Sequence, residues 1–197
     1  MCGLDFTQLL LFRMAALPKQ YQWLANEAGP RMIKEALAEF GTVEKAGVAN
    51  NPTILNWAKE TGEKNVAQMY VADSIPWCGL FMALVAKRAD KKLVKDPLWA
   101  LNWSTFGVFT KTAMLGDILV FVRRTTDGSR AGHVGLYVGE DTAAYHVLGG
   151  NQGDCVCVAR MAKNRLYAAR RPDYKLQPDN VRIVNLAATG TLSHNEA

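Results

Sequence analysis

The apolar residues of this chain change their repeat once, near its midpoint, and that change limits the folds open to it. Before about residue 91 they recur at helical spacing, and from Gly116 onward they alternate. The alternation in "GDILVFVRR" (116–124) and "HVGLYVGE" (133–140) predicts two strands. The intervening "TTDGSRAG" carries Asp127-Gly128, a hairpin signal. "AAYHVLGG", "CVCVARMA" and "LYAARRP" predict three further short strands.

The first half reads as helices. "RMIKEALAEF" (31–40) is rich in helix formers, and Pro30 after Gly29 suits a helix start. The Asn50-Asn51-Pro52 break opens a second helix carrying Ile54, Leu55 and Trp57, which ends near Gly62. "EKNVAQMYVADS" is a connector or a short helix. A third helix is expected from Pro76 to about Lys91, with Leu80, Phe81, Leu84 and Val85 on one face and Asp73-Ser74 supplying capping chemistry upstream. Residues 92–115 look irregular. Helices followed by an antiparallel meander make an α+β fold with a five- to six-stranded sheet in a single domain over residues 14–172. Residues 1–13 read as a dispensable extension ahead of Met14, and 173–197 as a polar tail that wraps or frays.

Composition narrows the classes of function. The 197 residues are 49% hydrophobic and 21% charged, which describes a soluble globular chain. A formal charge of +5 favours an anionic partner. Because no basic run alternates with aromatics, nucleic-acid binding is the weaker reading. Leu9-Leu10-Leu11-Phe12 is too short to cross a bilayer and lacks the features of a signal peptide, so no transmembrane segment is expected. The four cysteines, Cys2, Cys78, Cys155 and Cys157, form no disulfide framework, which suits a reducing cytoplasm. Cys155 and Cys157, at i and i+2 of a strand, look poorly placed to bridge each other.

One cysteine stands where chemistry is possible. In "IPWCGLFMALV", Cys78 heads an apolar helix, where unpaired amides and the helix dipole stabilise a thiolate and an oxyanion. The competing reading is a small, inert core residue. Of the three histidines, His133 opens a strand between Gly132 and Gly135, where a substrate can come close. A histidine base needs an orienting partner, and the next strand offers His146 and Asn151, which face opposite ways in an unbroken strand. Asn151, after two glycines, is the preferred partner, expected to face a cleft. A turn-forming asparagine is the alternative. Zinc is disfavoured, because Cys155-x-Cys157 with His133 and His146 matches zinc-ligand spacing poorly, so no metal is expected.

Cysteine at a helix start, histidine at a strand start and a polar residue on the following strand is the order of papain-like cell-wall hydrolases. The segments "NNPTILNWAKETG", "DSIPWCGLFMALVAKRA", "GDILVFVRR", "GHVGLYVGED" and "YHVLGGNQGD" resemble the NlpC-type and CHAP amidohydrolase/peptidases, and within them a small subgroup from phages and prophages of Gram-negative bacteria. The resemblance spans roughly residues 32–172.

What the resemblance implies is a papain-like fold and hydrolysis of an amide in peptidoglycan stem peptides, with Cys78 as nucleophile, His133 as base and Asn151 as the orienting group. It implies no cofactor, a monomer, and a protein made in the bacterial cytoplasm that reaches the periplasmic wall through a holin-type pore or other export. The basic surface could also meet lipopolysaccharide. NlpC-type enzymes commonly carry aspartate before the cysteine and serine after it, whereas this chain has Trp77 and Gly79. Asp73 is expected either to replace the missing contact to substrate or to cap the helix, and Trp77 and Trp103 either to wall a substrate groove or to lie in the core. Asp117 reads as structural. A catalytically silent peptidoglycan-binding module, or a cysteine protease or deamidase acting on proteins, remains the alternative.

Overall fold

A computed structural model describes residues 17–47, 49–124, 128 and 130–193. Residues 1–13 and the Asp127 half of the hairpin signal lie outside them. The order is helices and then sheet, as the change in repeat predicts. A 3₁₀ turn (Lys19–Asn26) precedes α1 (Arg31–Leu37), α2 (Pro52–Glu60), α3 (Lys64–Met69) and α4 (Cys78–Arg88). A second 3₁₀ turn (Ala100–Thr105) leads to β1 (Val108–Phe109), β2 (Ile118–Arg124), β3 (Arg130–Glu140), β4 (Ala144–Gly149), β5 (Cys157–Ala162) and β6 (Leu166–Arg171).

The six strands form one antiparallel sheet in the order β1-β6-β2-β3-β4-β5. Only the 3₁₀ turn Lys163–Arg165 joins β5 to β6, although three strands stand between them in the sheet. So short a link requires the sheet to curl until its two sides approach. The curl encloses its own small core of Leu119, Phe121, Tyr137, Val147, Met161 and Ala169.

The other face of the sheet, with Ile118, Val120, Val134, Leu136, Val138 and Leu148, packs on the helices. Every residue of α4 from Cys78 to Ala86 is buried, which makes it the central helix rather than an amphipathic one. Around its first turn, Trp57 of α2 packs against Trp77 and Phe81, each with ring centroids 5.8 Å away. Asn51 caps α2 by accepting the Thr53 amide at 2.9 Å, with Pro52 at the first helical position, as the Asn-Asn-Pro break suggests.

The segment after Pro172 does more than wrap loosely. Val184 and Leu186 pack on the main core, and backbone hydrogen bonds from Glu140 to Val184 and from Leu186 to Glu140 pin the tail along the end of β3.

Candidate active site

Two pieces of chain meet at the start of α4, and a third, carrying His133, lies across the β4–β5 loop from it. The helix begins at Cys78 itself, two residues later than Pro76 suggests, because Trp77 has left helical geometry (φ −118°) and stands at the N-cap. No side chain caps this end, so the first-turn amides and the positive end of the dipole gather at the cysteine. Cys78 is 3% exposed. Tyr70 braces the turn before it by donating its hydroxyl to the carbonyls of Asp73 and Ile75. Burial, with the carboxylates of Asp73 and Glu44 nearby, pushes the Tyr70 phenol far up.

The second piece is the β4–β5 loop. A Cβ on Gly150 would lie 2.6 Å from Phe81 Cβ and 2.8 Å from the Trp77 ring. This glycine lets the loop backbone lie directly on the first turn of α4. A Cβ on its neighbour Gly149 would instead lie 3.4 Å from His133 Nε2. Two adjacent residues thus touch the helix start on one side and the histidine on the other.

The third piece is His133 on β3, 2% exposed and cross-strand from Phe121. Its Nε2 lies 3.0 Å from Gln152 Oε1. Gln152 Nε2 donates to the carbonyls of Val147 (3.1 Å) and Cys157 (2.6 Å), which fixes the orientation of the amide. Oε1 must then accept a proton from the ring, so Nε2 carries the hydrogen and Nδ1 is the basic nitrogen.

A strap closes the corner. Residues Gly41 to Glu44 bond to the loop through Gly41 to Val156, Val156 to Thr42, and Glu44 to Asp154. Glu44 Oε2 then accepts the Trp77 indole N–H at 3.1 Å. The residue preceding Cys78 and the loop that orients His133 are therefore held by the same short segment.

The partner that meets the imidazole is Gln152, one position beyond the expected Asn151. Asn151 is buried rather than cleft-facing, and its left-handed backbone (φ 58°) turns the chain so that the next side chain, Gln152, reaches the imidazole. Asn151 Oδ1 is buried with no hydrogen-bond partner among the described residues. His146, the other contender, belongs to a separate buried network with Tyr21 and Asp141.

The three expected substrate contacts are placed in structural roles. Asp73 neither caps α4 nor faces a groove, because its Oδ2 accepts the Lys45 and Asn51 amides at 3.0 and 2.7 Å. Trp77 and Trp103 are fully buried, and Trp103 donates to the Pro97 carbonyl at 2.9 Å. Asp117 is structural, since both its oxygens are held by Arg171.

The two departures from the NlpC pattern have local causes. Trp77 fills the aromatic cluster beneath the helix start. Gly79 is required because a Cβ there would lie 2.4 Å from the Leu98 carbonyl oxygen and 2.5 Å from that of Pro97. A serine at this position would collide with backbone.

Among the described residues, no three His, Cys, Asp or Glu side chains converge where a metal could sit, and no helix is long and apolar enough to cross a membrane. Comparison with protein-family models, curated proteins and solved structures gave no match.

Proposed function

We propose that this chain is a cysteine-dependent amide hydrolase of bacterial peptidoglycan, an endopeptidase or N-acetylmuramoyl-L-alanine amidase of papain-like type that acts as a phage or prophage lysis enzyme on a Gram-negative wall. The observation that carries the reading is the His133–Gln152 pair on the loop whose Gly150 packs against Trp77 and Phe81 at the first turn of α4, the helix that Cys78 heads. An oriented imidazole next to a helix-start thiol is the arrangement that acyl transfer to sulfur needs.

In the cycle, Cys78 Sγ attacks the carbonyl carbon of a stem-peptide amide and its proton passes to His133 Nδ1. Negative charge on the carbonyl oxygen develops near the positive end of the α4 dipole. Collapse expels the amine, which takes the proton from His133, and leaves a thioester on Cys78. Water, deprotonated by His133, then hydrolyses the thioester and restores the thiol. Gln152 keeps Nδ1 basic throughout by holding the hydrogen on Nε2. The formal charge of +5 suits the anionic wall and lipopolysaccharide that such an enzyme would meet after release through a pore.

The test incubates purified Gram-negative sacculi with the protein and with Cys78→Ala, and identifies released fragments by mass spectrometry. Release by the wild type alone supports the hydrolase, and the fragment masses name the bond. Sacculi that bind both proteins without release would leave a binding module. Equal release by both would remove Cys78 from the chemistry.

A further inference from the structure

Outside the catalytic corner, two further thiols converge on one oxygen. Cys155 lies before the regular strand, which begins at Cys157, and is held by a bridge to Val43 and by its carbonyl, which accepts the Gln152 amide at 3.1 Å. Its Sγ donates to the Gln152 carbonyl oxygen at 3.2 Å, and Cys157 Sγ donates to the same oxygen at 3.3 Å. An extended i, i+2 pair has its Cα atoms about 6.5 Å apart, inside the upper end of the range that disulfides span. An i, i+2 pair in an unbroken strand looks poorly placed to bridge, but here Cys155 precedes the strand and both sulfurs converge on one oxygen. Both residues are partly exposed, so a small reagent can reach them.

We propose that Cys155 and Cys157 form a thiol–disulfide exchange site for low-molecular-weight disulfides, and that its oxidised form resets the Gln152–His133 hydrogen bond. The two thiols are not equivalent. Hydrogen bonding from Cys157 holds the Cys155 thiol below its ordinary value, while the same contact and burial push Cys157 far up. Cys155, which lies ahead of the strand, is the attacking sulfur, and Cys157, fixed at the start of β5, the resolving one.

The exchange balances with the disulfide as oxidant. The Cys155 thiolate attacks one sulfur of RSSR, and RS⁻ leaves and is protonated. Cys157 gives its proton to solvent and attacks the Cys155 sulfur of the mixed disulfide, expelling the second RS⁻. The protein loses two protons and two electrons, and RSSR becomes two RSH.

Gln152 transmits the change. Its carbonyl accepts both thiols, its amide nitrogen donates to the Cys157 carbonyl, and its Oε1 holds His133. Closure of the disulfide removes both S–H donors from Gln152 O and draws Cys157 toward Cys155. Any effect on hydrolysis rests on the proposed function, but the chemistry and the shift at His133 do not.

The test uses the full chain with Cys2→Ser and Cys78→Ser, which leaves Cys155 and Cys157 as its only thiols, equilibrated in glutathione buffers from reducing to oxidising. Alkylation and intact mass should show both thiols lost together, with a product lighter by two hydrogens and reversed by reductant. The His133 ring resonance, followed by NMR in the same samples, should shift between the two forms. Peptide mapping of the oxidised wild type gives the same linkage without relying on the double variant. Separate glutathione adducts on the two cysteines, or no reaction, would overturn the exchange site. A disulfide that leaves the His133 resonance in place would overturn the coupling through Gln152.

Discussion

Gln152 Oε1 sits 3.0 Å from His133 Nε2, and the same amide donates to two strand carbonyls. The side chain is fixed at three points, so it fixes the imidazole in turn. Gln152→Ala should lower kcat on sacculi by about 10²-fold with little change in KM, because misplacing a catalytic group by about an ångström costs that much. Asn151→Gly, which keeps the left-handed backbone, should cost far less. A larger loss from Asn151→Gly than from Gln152→Ala would return the orienting role to Asn151.

The adjacent glycines make a contrasting pair. In Gly150→Ala the new methyl meets Phe81 and Trp77, both fully buried, and neither can yield. That overpacking should cost about 1–3 kcal/mol in urea unfolding. In Gly149→Ala the methyl instead meets Gln152 Oε1 at 2.8 Å and its Cδ at 3.1 Å, so it strikes the amide that holds His133. Gly149→Ala should therefore lose activity as Gln152→Ala does. A Gly149→Ala protein with full activity would show that the His133–Gln152 bond does not matter.

Much of this architecture is legible in the chain itself. The alternation of Ile118 to Val122 and of Val134 to Val138 encodes two faces, and the structure uses both, one against α4 and one inside the curl. Cys78 stands out because it opens a helix, and His133 because Gly132 and Gly135 bracket it, although β3 begins three residues earlier at Arg130. Gln152 does not, since period-two counting fails once Asn151 turns left-handed, and only the fold shows which side chain then points back. Trp77 and Trp103 look like groove walls in sequence because a large aromatic near a cysteine carries no mark of burial. Their indole N–H groups find partners at Glu44 and Pro97, residues far enough away in sequence that no local pattern foretells them. The two-residue β1 is equally silent, being defined only by its pairing with Arg170 and Arg171.

Arg171 closes a site of a different kind. It donates Nε and Nη2 to the two oxygens of Asp117, at 2.9 and 2.8 Å, and the Asp117 side chain is wholly buried. Removing the guanidinium leaves a carboxylate stranded against the Met114 amide. Arg171→Ala should destabilise by about 3–5 kcal/mol in urea titration. Asp117→Asn, which removes the charge and keeps the shape, should cost less. Equal effects would mean that the pair acts through packing alone.

The buried His146 sets the response to acid. Asp141 Oδ2 accepts from Arg160 Nε at 2.8 Å, and this contact leads the effects that hold the carboxyl well below the usual range. An ionised Asp141 must accept from His146 Nε2 at 2.9 Å, so His146 Nδ1 accepts the Tyr21 hydroxyl at 2.6 Å. The neutral ring is satisfied on both nitrogens, and burial lowers its proton affinity below the ordinary 6.5. The unfolded chain therefore protonates this histidine first, and unfolding takes up a proton. Its contribution to stability is complete above about pH 6.5 and is lost progressively as pH falls from there through the folded value. The Asp141 contribution outlasts it, beginning to fall only near the ordinary carboxyl value of 3.8 and being lost as pH drops through the lower folded value. Tm measured from about pH 8 downward should thus fall first near 6.5, and His146→Gln, although less stable at neutral pH, should lack that first decline. A wild-type Tm that stays level until the carboxylate range would show that His146 is not what limits stability in mild acid.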